Sequence, residues 1–357
     1  MQIGSIDKMK ILIVGNMGYV GPVLARHLRR TYPGYELHGF DTGYFGHCLV
    51  SADRLPEIDL DVQRLGDVRS LDPASLKGFD AVVQLAAISN DPMGKRFEAA
   101  TFAINQDATA HLAQAAAEAG VRAFVFASSC SIYGIADGPP RRETDPTAPL
   151  TAYALSKVAS EETLAALDCD MTRTALRFAT ACGFSPRLRL DLVLNDFVAA
   201  ALAEGKITVL SDGTPWRPLI DVADMARAID WAIHRDADNG GRMLVVNAGA
   251  SSANRQVRQL AEAVAVALPG TEVSINLDAP VDSRSYRVDF SLFAGLAPDH
   301  LPLMTLEQSI RGLVDGLRGV GFADDGFRSG DLIRLKTLER HLTAGRLTDD
   351  LRWEGRA

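Results

Sequence analysis

The chain has 357 residues, 47% hydrophobic and 23% charged, a composition that fills a sizeable core and excludes wholesale disorder. A formal charge of −8 excludes a basic nucleic-acid footprint. No apolar run reaches the ~18 residues of a membrane span, and the one near the N-terminus is too short for a signal peptide. In chain order, Lys10–Val14 predicts a buried strand and Tyr19–Arg30 a helix. Glu36–Phe40 predicts a second strand ending at Asp41, and Asp80–Leu85 a third. Phe97–Ala119 reads as one long Ala-rich helix. Arg122–Ala127 and Thr172–Phe178 read as strands on either side of a helix over Tyr153–Leu167. Strands alternating with helices predict parallel βαβ units and a doubly wound α/β sheet. Beyond residue 180 the pattern loosens. Helices are expected over Leu190–Ala203, Val222–His234 and Asn254–Ala267, and strands within GKITVLSDG (205–213) and over Met243–Asn247. From Asp325 an Arg-rich amphipathic tail predicts two short helices, packed on the protein's own surface or on a second copy.

Three motifs carry chemistry. Gly15, Gly18 and Gly21 form GxxGxxG directly after the first strand. Glycines there permit a tight turn and let backbone N–H groups approach a pyrophosphate at a helix N-terminus. Asp41 ends the second strand, where a carboxylate can accept from a ribose diol and repel a 2′-phosphate. Together they predict dinucleotide binding. Tyr153 and Lys157, at i and i+4, share one helix face. An ammonium beside the phenol lowers its pKa and suits it to general acid–base work. Ser129 lies 24 residues before Tyr153 at the end of a strand, where α/β ligands sit, and can share a hydrogen bond with substrate and phenol. Cys48, Cys130, Cys169 and Cys182 show no CxxC spacing, so neither a structural metal nor a disulfide framework is expected.

GNMGYVG, Asp41, GDV (66–68), LAA (85–87), Asn105, SSCSIYG and YALSK occur in that order. Together they resemble the extended short-chain dehydrogenase/reductase family, in its nucleotide-sugar epimerase/dehydratase branch. Arg177, Gly183, Asn195 and DGTPWRPLIDVADMARAI (212–229) extend the resemblance across residues 9–320. It implies a Rossmann domain over 9–178, completed by 218–249, that binds NAD. A smaller α/β domain over 179–217 and 250–320 would bind a nucleotide-diphosphate sugar, with a helical tail over 321–357. By resemblance, Gly15, Gly18, Tyr19, Val20 and Gly21 hold the NAD pyrophosphate. Asp41 holds the adenosine ribose, Asp67 and Val68 flank the adenine, and Leu85, Ala86, Ala87 and Asn105 line the cofactor cleft. Ser129, Tyr153 and Lys157 form the catalytic triad, with Lys157 also bonding the nicotinamide ribose.

On the substrate side the resemblance implies Thr180, Asn195, Arg217 and Arg284. Thr180 and Asp221 stand where members similar to UDP-galactose epimerase carry Asn and His, which counts against UDP-glucose as substrate. Cys130 and Ser131 stand where 4,6-dehydratases carry adjacent carboxyl groups, which counts against elimination. The implied activity is NAD-dependent epimerisation at C4 through a transient 4-keto sugar. The alternatives are a 4-ketoreductase, a 4,6-dehydratase, or a non-catalytic NAD sensor, the last disfavoured by the intact triad. The expected setting is cytoplasmic, as a homodimer through the helices at 97–119 and 153–167, with no metal, nucleic acid or membrane.

Overall fold

The computed structural model describes residues 8–51, 53–136, 138–279 and 285–355. Its strands are β1 (Lys10–Val14), β2 (Glu36–Asp41), β3 (Val62–Leu65), β4 (Ala81–Gln84), β5 (Ala123–Ser129), β6 (Thr172–Phe178), β7 (Thr180–Cys182), β8 (Lys206–Val209), β9 (Trp216–Asp221), β10 (Met243–Ala248), β11 (Asn254–Gln256) and β12 (Glu272–Ile275). Its α-helices are α1 (Gly21–Thr31), α2 (Asp91–Arg96), α3 (Glu98–Phe102), α4 (Ala108–Glu118), α5 (Ala152–Ala166), α6 (Val193–Glu204), α7 (Val222–His234), α8 (Val257–Ala267), α9 (Ser291–Leu296), α10 (Leu306–Gly319) and α11 (Arg334–Thr343).

Seven strands form one parallel sheet in the order β10-β6-β5-β4-β1-β2-β3. The apolar run of β1 explains its central place. Successive side chains point to opposite faces, and both faces are covered. Ile11 and Ile13 pack with Leu24 and Leu28 of α1 and Ile229 and Ile233 of α7. Leu12 and Val14 pack on the other face with Leu112 and Ala116 of α4. A strand buried on both sides reads as continuous hydrophobicity, not alternation. The chain order reverses at β1, whose neighbours are β2 and β4, and the carboxyl ends there open a crevice.

Residues 97–119 are not one α-helix. A five-residue π-helical stretch, Ala103–Asp107, separates α3 from α4. Within it Asn105 is 1% exposed. Its side chain accepts from Ile88 N at 2.8 Å and donates to Ile88 O and Ser156 Oγ, each at 3.0 Å. The Ser160 hydroxyl donates to the Asn105 carbonyl at 3.0 Å. The wider turn aims an amide at the loop after β4, a use of π-bulges that alanine content does not signal. The strand within 205–213 shortens to β8, and the start of the helix expected over Asn254–Ala267 is β11.

A second layer holds the sheet β11-β9-β7 and the parallel pair β12-β8. Its core joins α6, α8 and α10 through Leu194, Val198, Leu260, Val264, Ile310 and Leu313. The tail forms a short 3-10 helix (Phe327–Ser329), one α-helix, α11, and then a bend closed by a Leu347–Trp353 bridge. Leu338, Leu347 and Leu351 pack on Tyr44, Met93 and Phe97, so this arm lies on the chain's own surface. Among the described residues no helix is long and apolar enough to cross a membrane.

Candidate active site

A cleft of about 1020 Å³ lies at the crevice and is walled by both layers. That slightly exceeds the ~300–1,000 Å³ of single small-molecule pockets. Gly15 has φ +86°, and a Cβ there would stand 2.4 Å from Ala86 N, so the turn after β1 presses on the loop after β4. Only glycine fits both demands. Gly18 N donates to Gly15 O at 3.2 Å and closes the turn. α1 begins at Gly21 with no side-chain cap, which leaves its positive end to an anion. Gly21 itself packs against Asn16 O, 2.1 Å from where a Cβ would stand, and is not on the cleft wall.

Asp41 faces the cleft from the end of β2. Met17 N and Gly43 N donate to its two oxygens at 2.9 and 2.7 Å. Burial pushes its pKa up, and the two amides pull it back. Asp67 is fixed by Arg69, whose Nε and Nη2 reach its carboxylate at 2.9 and 2.5 Å. Val68, Leu85, Ala86 and Ala87 join the same wall, as do Tyr19 and Val20. The Tyr19 phenol donates to Gly183 O at 2.5 Å and so ties the turn after β1 to the second layer. A glycine cradle, an uncapped helix end and a fixed carboxylate match the diphosphate and ribose of a dinucleotide.

Ser129, Tyr153 and Lys157 meet at the far end of the cleft. α5 is started by Thr151, whose Oγ accepts from Ala154 N at 3.2 Å. Ser129 Oγ accepts from Ser131 N at 3.2 Å, so it caps the following turn, and it also hydrogen-bonds to the Tyr153 phenol. Lys157 Nζ donates to Ala127 O at 2.6 Å and stands 5.7 Å from the Tyr153 ring centroid. Burial pushes its pKa down to about 7, opposed by Glu161. The phenol pKa is raised, not lowered as the YxxxK pattern predicts. Burial dominates it, and Ser129 and Arg189 oppose the rise. The Lys157 Nζ is bonded to the Ala127 carbonyl and does not offset that burial.

Cys130 is fully buried, with its Sγ donating to Arg177 O at 3.1 Å, and burial pushes its thiol pKa well up. Below Lys157, Arg177 holds Glu161 with Nη2 at 2.7 Å, and Ser128 donates to the same carboxylate.

Thr180 and Arg217 line the cleft from β7 and β9. Asn195 does not. It is 0% exposed, with its amide bonded to Gly183 N at 3.0 Å and Arg189 O at 2.9 Å, so it braces the wall from behind. Asn105 is likewise behind the wall. Arg284 lies outside the described residues. Asp221 caps α7 through Ala223 N and accepts from Ser309 Oγ at 2.7 Å, so its departure from His is a packing matter away from the cleft. Sequence reasoning missed Arg189, which reaches into the cleft between Tyr19 and Tyr153. It is paired with Asp191 at 2.9 Å and bonded to Ser89 Oγ at 2.9 Å. The alternating charges of RLRLD (187–191) in an apolar stretch were its signal. Among the described residues no group of three His, Cys, Asp or Glu is placed to hold a metal.

The profile of the NAD dependent epimerase/dehydratase family matches residues 11–249. UDP-glucose 4-epimerase of Rhizobium meliloti (strain 1021) is 29% identical over 281 residues, covering 71% of this chain and 80% of that protein. dTDP-glucose 4,6-dehydratase of an Actinoplanes strain is 25% identical over 299 residues, covering 80% of this chain and 91% of that protein. Among solved structures, MoeE5 in complex with UDP-glucuronic acid and NAD superposes with a TM-score of 0.73. It is 27% identical and covers 87% of this chain and 99% of its own. The doubly wound sheet, the glycine turn opposite the fixed carboxylate of Asp41, and this match over most of the chain agree: the protein belongs to the NAD dependent epimerase/dehydratase family, whose members are NAD-dependent enzymes.

Proposed function

We propose that this protein is a nucleotide-sugar epimerase acting at C4 of the sugar, with NAD resident in the β1 end of the cleft. The observation that carries the choice over dehydration is the pair after Ser129. Elimination across C5 and C6 needs a base and an acid there. Cys130 has a buried thiol bonded to a carbonyl and a raised pKa, and Ser131 is a hydroxyl paired with Ser129 Oγ at 2.9 Å. Neither is equipped to take a C5 proton.

In this reading residues 9–178 and 218–249 hold the cofactor. Residues 179–217 and 250–320 hold the nucleotide, with Arg217 on its diphosphate and Thr180 near the sugar. An arginine fork suits phosphate because it donates two parallel hydrogen bonds. NAD, when bound, supplies a hydride acceptor that returns what it takes. Tyr153 accepts the C4 hydroxyl proton and gives it back. Ser129 bridges that hydroxyl and the phenol. Lys157, in its ammonium form, stabilises the phenolate. Since hydride returns, no net redox reagent is consumed.

Incubation with candidate nucleotide hexoses and catalytic NAD, followed by mass spectrometry and chromatography, tests this. An epimer keeps the mass of its substrate. A product lighter by one water establishes a dehydratase, and steady consumption of NADH a reductase.

A further inference from the structure

The C-terminal arm places a charge in the cleft that the catalytic reading does not use. Arg334 opens α11 and is 1% exposed. Its Nη2 donates to Arg187 O at 2.8 Å, and its guanidinium carbon stands 4.7 Å from the Phe45 ring centroid. Nη1 has no hydrogen-bond partner. Two arginines beside it have acids of their own: Arg187 meets Glu57 at 2.6 Å, and Arg189 meets Asp191 at 2.9 Å. Of the three guanidinium groups, Arg334 alone has no carboxylate in ion-pair contact among the described residues. A buried cation without a counter-charge is costly, so a place built this way favours an incoming anion. Burial pushes the Arg334 pKa down to about 10, leaving it charged at neutral pH.

The position says which anion. Arg334 lines the cleft with Tyr44 and Phe45 of the loop that follows Asp41. The arm is stitched to that loop and to the turn at Asp67. The Tyr44 phenol donates to Leu351 O, Trp353 Nε1 to Thr42 O at 2.7 Å, and Arg69 Nη2 to Leu351 O at 3.0 Å. This is the dinucleotide end of the cleft, whereas Arg217 approaches from the second layer. α11 adds its uncapped N-terminus on the same side.

Resting on the NAD reading above, we infer that Arg334 is an anion-binding residue for the diphosphate of the dinucleotide, delivered by the C-terminal arm. The test uses the full chain freed of bound nucleotide, with ADP-ribose, adenosine and UDP as probes in calorimetry. Arg334→Met keeps the aliphatic stem against Phe45 and removes the charge. It should weaken ADP-ribose about tenfold, the scale of one charge-assisted hydrogen bond. Adenosine and UDP should bind as to the wild type. The melting temperature of the ligand-free variant should stay the same or rise, because an unbalanced buried charge has been taken away. Should Arg334→Met not fold, Arg334→Gln carries the same expectation for ADP-ribose. Unchanged ADP-ribose affinity, or a loss confined to UDP, overturns the inference. So does a lower melting temperature with all affinities intact. Wild-type protein that binds no ADP-ribose removes the NAD reading as well. Wild type and variant binding it equally removes this inference alone.

Discussion

Burial moves the Tyr153 and Lys157 pKa values more strongly than their spacing in the sequence does. Tyr153 sits in a dry pocket that raises its phenol pKa, and Lys157 in one that lowers its ammonium to about 7. Tyr153→Phe should lower turnover by about 10²–10⁴, the usual share of a general acid–base, while leaving NAD binding intact by titration. Normal turnover in that variant removes the assigned role. Asp41 is pinned by two amides, which fixes a carboxylate where a 2′-phosphate would be repelled, while Arg69 is committed to Asp67 and Arg187 to Glu57. NAD should therefore bind tighter than NADP, by about tenfold or more in a direct titration. Cys130→Ala removes a thiol bonded only to a carbonyl, and turnover should change by no more than about threefold. A large drop would return the thiol to the chemistry.

Helix α7 shows what an element can conceal. Its Asp230 takes His27 Nε2 at 2.7 Å on one side and His234 Nδ1 at 3.0 Å on the other, tying α7 to α1 behind the sheet. Burial acts to raise Asp230, but bonds from His234 and His27 outweigh it and hold the carboxyl well below 3.8. Burial acts to lower His234, and Asp230 outweighs it, raising the imidazole above 6.5. A depressed carboxyl contributes stability above about pH 3.8 that is lost as pH falls through its native value. A raised imidazole contributes below about pH 6.5 and loses that share as pH rises through its native value. Urea unfolding at about pH 3, 5.5 and 8 should show a maximum in the middle, and Asp230→Asn should flatten it.

The bounds of α7 were legible from its apolar spacing, and those of β1 and β6 from their unbroken apolar runs. Asp230 itself read as one more polar residue, because its partner in α1 is 203 positions away. The same distance problem hid Arg334 and the bracing role of Asn195, whereas Gly15, Asp41, Ser129, Tyr153 and Lys157 announced themselves through local motifs. Short pieces such as β3 and α2 were missed for lack of length. α10 was missed although Thr305 and Gln308 form a capping box that the sequence displays.

At the scale of the whole molecule the two cores meet across the cleft, and the C-terminal arm runs back from the second to the first. Trp353 holds its end, with the indole donating to Thr42 O and packing 5.8 Å from the Tyr44 ring and 5.0 Å from His341. Trp353→Ala should cost about 1–3 kcal/mol in urea unfolding and expose the arm to trypsin in limited proteolysis. An arm equally resistant in the variant would mean that the leucines alone hold it. The bond from Tyr44 to Leu351 spans 307 positions. A ribosome adding 5–20 residues per second takes about 15–60 s to cover that distance. Throughout that interval the nascent loop after Asp41 has no cover, and the site cannot close until Leu351 and Trp353 have left the exit tunnel. A nascent chain halted between α10 and α11 would therefore carry every strand of the seven-stranded sheet and still leave the nucleotide end open.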